Sequence, residues 1–273
     1  MIRNLAWVFA ASLALHLGAA LPAAAAASEP EDAWPAFADD IFKGRPLADG
    51  VGLVGLEMPV RAEDAAIVPV TMRVTLPPGD TRYLKKLTLI IDDNPAPVAA
   101  TFEIGPNAGI STISTRVRVD AYTNVHAVAE LSDDKLYVVK TYVKASGGCS
   151  APAAKVADAA ADSIGQMKFR QFAAAGAGPV SAPREAQIMV RHPNNSGLQR
   201  DQVTLLYIPA HFVDELSVWQ GDALLFTMVG GISISEDPNF RFNFVPNGAA
   251  AFRVEAKDTE GKLFRQEWPA TGM

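Results

Sequence analysis

The chain has 273 residues, with 24 Lys and Arg against 30 Asp and Glu, for a formal net charge of −6. That acidic balance argues against nucleic acid and against an anionic membrane surface as partners, because both are held by cationic side chains. A single cysteine excludes an internal disulfide and, with no CxxC, dithiol redox chemistry within one chain.

The N-terminus reads as a secretory signal. Arg3 supplies the positive charge, residues 5–21 form an apolar run, and Ala25-x-Ala27 is a small-residue cleavage site. Residues 1–27 are therefore expected to be removed, and without a twin-arginine pair the general secretion route is expected. Removal takes away Arg3 and no acid, which leaves 23 basic against 30 acidic residues and a net charge of −7. No later stretch is long and apolar enough to span a bilayer, so the mature chain is expected to be periplasmic and free of the membrane.

Two strand-rich blocks follow. In the first, residues 39–42 suggest a short helical turn at most. Residues 68–76 alternate, with Val70, Met72, Val74 and Leu76 on one face. Residues 87–91 read as a buried strand closed by Asp92-Asp93-Asn94-Pro95. In residues 115–121, Val117, Val119 and Ala121 oppose Arg116, Arg118 and Asp120. Strands over 125–131 and 136–143 are joined by the hairpin turn Ser132-Asp133-Asp134-Lys135.

Residues 150–184 are rich in Ala, Gly and Pro. Residues 153–172 have helix-forming composition and 173–179 read as a flexible linker. The second block, residues 185–273, gives strands over 186–191, 212–219, 223–228, 240–244, 251–257 and 263–268. Turn residues Gln220-Gly221-Asp222 and Asp258-Thr259-Glu260-Gly261 separate two of the pairs. Short strands with turn signals between them predict an all-β fold with a β-sandwich in each block.

Few residues carry chemistry. With one Cys and three histidines after the leader, no metal-ligand spacing is present, so no metal site and no cofactor are expected. His126 reads as a satisfied strand residue, whereas His192 and His211 sit at loop and strand boundaries. Paired acids such as Glu63-Asp64 read as solvated turns. That leaves Cys149, preceded by Gly147 and Gly148, on what reads as a mobile, exposed loop. Lys140, Lys144 and Lys155 are close in sequence and would favour its thiolate if near in space.

The first block resembles SoxY, the sulfur-carrying subunit of bacterial thiosulfate oxidation. The resemblance rests on Leu56-Glu57-Met58-Pro59, Ala62-Glu63-Asp64-Ala65, Val68-Pro69-Val70, residues 89–95, Thr115-Arg116-Val117-Arg118 and residues 143–149. The second block resembles its partner SoxZ through Arg191-His192-Pro193, Ser196-Gly197, Pro209-Ala210-His211-Phe212 and residues 232–244. The whole is similar to fused SoxYZ-like carriers associated with quinoprotein dehydrogenases. The resemblance implies two immunoglobulin-like β-sandwich domains, a SoxY-like one over 28–149 and a SoxZ-like one over 185–273, joined by a partly helical linker over 150–184. It also implies a covalent carrier that is not itself an enzyme. Cys149 would be the attachment atom, with Gly147 and Gly148 giving loop flexibility. Partners would be Sox-type sulfur-oxidation enzymes or a quinoprotein dehydrogenase system, and Cys149 would allow an intermolecular disulfide dimer. Ser150-Ala151-Pro152 follows the cysteine where SoxY ends in Gly-Gly, so the arm is tethered at both ends. Two rivals stand beside this reading: a non-covalent adaptor for a quinoprotein dehydrogenase, and an enzyme using Cys149 as nucleophile with His126, His192 or His211 beside it.

Overall fold

In a computed structural model the described residues are 34–152, 163–172 and 182–271. The leader read over 1–27, the helix-forming stretch 153–162 and the linker 173–179 lie outside them. Among the described residues, no helix is long and apolar enough to cross a membrane.

Strands form where apolar residues alternate. The alternation in β3 (Val68–Val74) buries Val68, Val70, Met72 and Val74 and leaves Pro69 and Arg73 outside. The aromatic alternation of β13 (Asn239–Phe244) likewise buries Phe240, Phe242 and Phe244. In β4 (Leu84–Ile91) residues 87–91, and in β7 (Thr123–Leu131) residues 125–131, are buried on both faces. Their outer face is covered by α1 (Trp34–Phe42), and Ile90, Val128, Leu136 and Phe42 form a second small core there. That helix is a full two turns and not the turn expected from residues 39–42. Trp34 stacks on the buried ring of His126, with centroids 3.6 Å apart.

The remaining strands are β1 (Leu47–Asp49), β2 (Val54–Glu57), β5 (Val98–Ile104), β6 (Thr112–Val117), β8 (Leu136–Val143), β9 (Met167–Phe172) and β10 (Arg184–Val190). The chain then continues through β11 (Val213–Gln220), β12 (Ala223–Gly230), β14 (Ala251–Asp258) and β15 (Leu263–Pro269). They build a nine-stranded sheet in the order β1-β8-β7-β4-β5-β12-β11-β14-β15 and a six-stranded sheet in the order β2-β3-β6-β13-β10-β9. The all-β reading of two sandwiches holds. The two blocks share both sheets: β5 pairs with β12 from Phe226↔Ile104 to Gly230↔Ala100, and β6 pairs with β13 at Arg241↔Ser114 and Phe242↔Ile113.

Residues 167–172 correct the helical expectation for that part of the connection. They form edge strand β9 and pair with β10 in the register Ile188↔Phe169. Helix-forming composition is overridden there because Phe169 reaches the core, 4.9 Å from Phe252 and 5.4 Å from Trp268 between ring centroids.

One hydrophobic core runs through both blocks. Phe102 of β5 lies 6.1 Å from Phe226 of β12 and 5.9 Å from Phe240 of β13; Phe226 lies 5.0 Å from Phe242. Phe242→Ala is therefore expected to cost about 3–5 kcal/mol. Both blocks should lose stability together in one transition, read as a matched loss of amide-exchange protection in β4 and in β11. Loss confined to the second block would show that the two unfold independently.

Candidate functional site

Past the end of β6 the chain continues extended but leaves the ladder. Arg118 N–H donates to Ser233 O at 2.7 Å and Val119 N–H to Ala65 O at 2.8 Å. The Asp92-Asp93-Asn94-Pro95 turn fixes this stretch. Asn94 Nδ2 donates to Arg118 O and to Ser233 Oγ, both at 2.8 Å, and Asn94 Oδ1 accepts from Asp120 N at 2.8 Å. Asn94 is buried, so these bonds replace those it would make with water.

The arm leaving β8 lies along this stretch. Gly147 N–H donates to Asp120 O at 2.7 Å, and Gly148 N–H to Val119 O at 3.1 Å. Cys149 N–H donates to Asp120 Oδ1 at 3.1 Å. The second block closes over the other side. Ser196 Oγ donates to Cys149 O at 2.5 Å, and Gln199 Nε2 donates to Ala151 O at 3.1 Å. Arg118 reaches both partners: Nη1 donates to Gly148 O at 3.2 Å and Nη2 to Asn194 O at 3.4 Å.

Cys149 is fully buried in this cradle, which corrects the expectation of an exposed thiol on a mobile loop. Gly147 has a φ of +75°, a left-handed conformation that favours glycine. Gly148 serves close packing: a Cβ there would lie 2.0 Å from Ala65 O and 2.6 Å from Val119 O. Burial pushes the Cys149 thiol up to about 12, the charge of Asp120 adds to this, and Arg118 opposes it. Neither Lys140 nor Lys144 is among the groups that set this balance, and the docked thiol is protonated; Lys155 lies outside the described residues. Burial also lowers the pKa of Arg118, against the charges of Glu236, Cys149 and Asp64.

The sequence reading missed Arg118, Asn94, Ser196 and Gln199. Alternation set Arg118 opposite the apolar face, yet it is 1% exposed, because β6 ends at Val117 and the alternation ends with it. Ser196 entered only as part of the SoxZ resemblance and Gln199 gave no signal, since the carbonyls they bind lie about fifty positions away.

The three histidines divide. His126 is held by Asp92, Nδ1 to Oδ1 at 3.0 Å, under Trp34. His192 and His211 meet, with ring centroids 4.6 Å apart, against Asp258 at the end of β14. Burial lowers the pKa of His192 and the neighbouring His211 adds to this, against a hydrogen bond to Asn194 and the charge of Asp258. Burial tends to raise that of Asp258, but the bonds from His211 and the Lys262 N–H outweigh it and hold it below the usual carboxylate value. No histidine is among the groups that set the Cys149 pKa, which removes support for a Cys–His nucleophile.

Comparison with known proteins agrees with this layout. A family model described as sulfur oxidation protein SoxY matches residues 38–149, and one described as sulphur oxidation protein SoxZ matches residues 174–269. No curated protein matches the chain. Among solved structures, the sulfur carrier protein SoxY from Chlorobium limicola f thiosulfatophilum is 23% identical with a TM-score of 0.34, covering 41% of this chain and 94% of its own. A superoxide reductase (neelaredoxin) from Ignicoccus hospitalis is 11% identical with a TM-score of 0.30, covering 34% of this chain and 79% of its own. A putative superoxide reductase from Thermotoga maritima is 13% identical with a TM-score of 0.30, covering 37% and 92%. With the two family models in tandem over one continuous pair of sheets, the chain belongs to the sulfur-oxidation carriers as a fused SoxY–SoxZ protein.

Proposed function

We propose that the chain is a periplasmic covalent carrier that holds a sulfur intermediate on Cys149 and presents it to Sox-type partner enzymes. The observation that carries this reading is the cradle: the SoxY match ends on the chain's one cysteine, and residues of both domains hold that cysteine's backbone. In this reading the carrier is not itself an enzyme, and its partners do the chemistry on the group it holds.

Docked, the thiol is buried and protonated, and so a poor nucleophile. Released, it returns toward the ordinary cysteine range and becomes reactive. Loading with thiosulfate then reads Cys149–S⁻ + S2O3²⁻ → Cys149–S–S–SO3⁻ + 2e⁻. An S–S bond forms to the terminal sulfur, and the two electrons pass to an oxidising partner enzyme. The arm's partners, the backbone of Val119 and Asp120 and the side chains of Arg118, Asp120, Ser196 and Gln199, all lie outside the strands, so docking and release leave the two sheets intact.

The test is intact mass of the protein after exposure to thiosulfate and a sulfur-oxidising periplasmic extract. The expected result is a sulfur-containing adduct on the peptide bearing Cys149, absent in Cys149→Ser and removed by reductant. A protein that gains no such mass, or a Cys149→Ser variant that still gains it, would overturn the carrier reading.

A further inference from the structure

We infer that His192, His211 and Asp258 form a binding site for a divalent transition-metal ion of the zinc class. The site lies in the SoxZ domain, at the root of the loop that holds the carrier arm. Three separate elements supply it. His192 follows β10, His211 precedes β11, and Asp258 ends β14. His211 Nε2 lies 2.9 Å and His192 Nε2 3.6 Å from Asp258 Oδ2, and the three ligand atoms lie within 4.8 Å of one another. Zinc bound tetrahedrally at about 2.0–2.1 Å sets its ligand atoms about 3.3 Å apart, so small side-chain shifts suffice.

A separate observation points to a ligand. His192 is 1% exposed, and its Nε2 is buried with no hydrogen-bond partner. Its other nitrogen is engaged: Nδ1 lies 2.8 Å from Asn194 Oδ1 and 3.1 Å from Asn194 N. Whichever nitrogen carries the proton, Nε2 faces the carboxylate at a distance too long for a hydrogen bond. A buried polar atom left in that state is costly, and a cation between ring and carboxylate removes the cost.

The surroundings are those of a metal site. Asp258 Oδ1 accepts from Lys262 N at 2.8 Å and Glu260 N at 3.1 Å, which turns Oδ2 toward the rings. Asn194 Oδ1 also accepts from Val213 N at 3.2 Å, so the group that orients His192 is itself held. His211 is partly exposed, which gives an entry path and room for water as fourth ligand. The ion would tie together both ends of the loop that carries Ser196 and Gln199, since Asn195 and His211 pair across its base.

The experiment uses the full chain, expressed without a polyhistidine tag and stripped with chelator. Calorimetric titration with Zn²⁺ is expected to give one ion per chain. His211→Ala and Asp258→Asn should each weaken binding by about tenfold or more. Cys149→Ser should bind as the parent does, which separates this site from the carrier thiol. Cu²⁺ loaded on the parent protein gives a second reading that needs no variant: paramagnetic resonance should show coupling to two imidazole nitrogens. Absence of Zn²⁺ binding, unchanged affinity in both variants, or a copper spectrum without two nitrogens would mark the cluster as a hydrogen-bonded structural feature and overturn the proposal.

Discussion

Gly148→Ala is expected to release the carrier arm and raise the rate at which Cys149 is alkylated roughly five- to 150-fold, with both sheets intact. The new methyl would sit 2.0 Å from Ala65 O and 2.6 Å from Val119 O. Both are backbone atoms, tied to each other's segment by the bond from Val119 N–H to Ala65 O, and cannot yield as a side-chain tip could. Overpacking of this kind costs about 1–3 kcal/mol, which converts to that range of population shift. Docking has little reserve to absorb it. Each arm bond contributes about 0.5–1.5 kcal/mol net, while ordering the arm costs about 1–2 kcal/mol per residue. Gly147→Ala is the comparison. Its φ of +75° is strained for alanine but its Cβ meets only Ser150 Oγ at 3.8 Å, so a cost of about 1 kcal/mol and a fivefold effect are expected. Alkylation with iodoacetamide, followed by mass, measures both. Equal rates in the two variants and the parent would mean that the arm is not held by this packing.

How far the sequence reveals this depends on the range of each interaction. Alternation within one strand is local, so β3, β13 and the hairpins β7–β8, β11–β12 and β14–β15 were legible from side-chain period and turn residues. β5 was not, because Val98-Ala99-Ala100-Thr101 has small residues and no clear period; it becomes a strand by pairing with β4 on one side and β12 on the other. β9 was misread for the same reason, since its partner β10 lies beyond the linker. At the site, Cys149 stood out through its uniqueness and its family context. Its burial did not, because the atoms that cover it come from positions 118–120 and 194–199. Glycines that suggest mobility in a sequence can equally mark a close approach of two backbones, and only the fold distinguishes Gly147 from Gly148. The His192–His211–Asp258 cluster escaped a spacing-based search for the same reason: its members are neighbours only across β10, β11 and β14.

The pH dependence of that same alkylation separates a docked thiol from a free one. A free cysteine titrates near about 8.5, so its labelling rate climbs with pH and then levels off. Docking holds the proton: the thiol's pKa in the cradle is raised to about 12, chiefly by burial. The sign follows. The docked form binds a proton that the released form loses, so docking is at full strength below about pH 8.5 and weakens as pH rises toward the docked value. Labelling passes through the released thiolate, whose population relative to the docked thiol rises tenfold for each pH unit across that whole window. Between about pH 8.5 and 10.5 the expected increase is therefore about hundredfold, against about twofold for a free thiol. Gly148→Ala, with the arm released, should level off as the free thiol does. A plateau near the ordinary cysteine value in the parent protein would show that Cys149 is not protected by docking, and a steep climb shared by both proteins would trace the effect to general loosening at high pH.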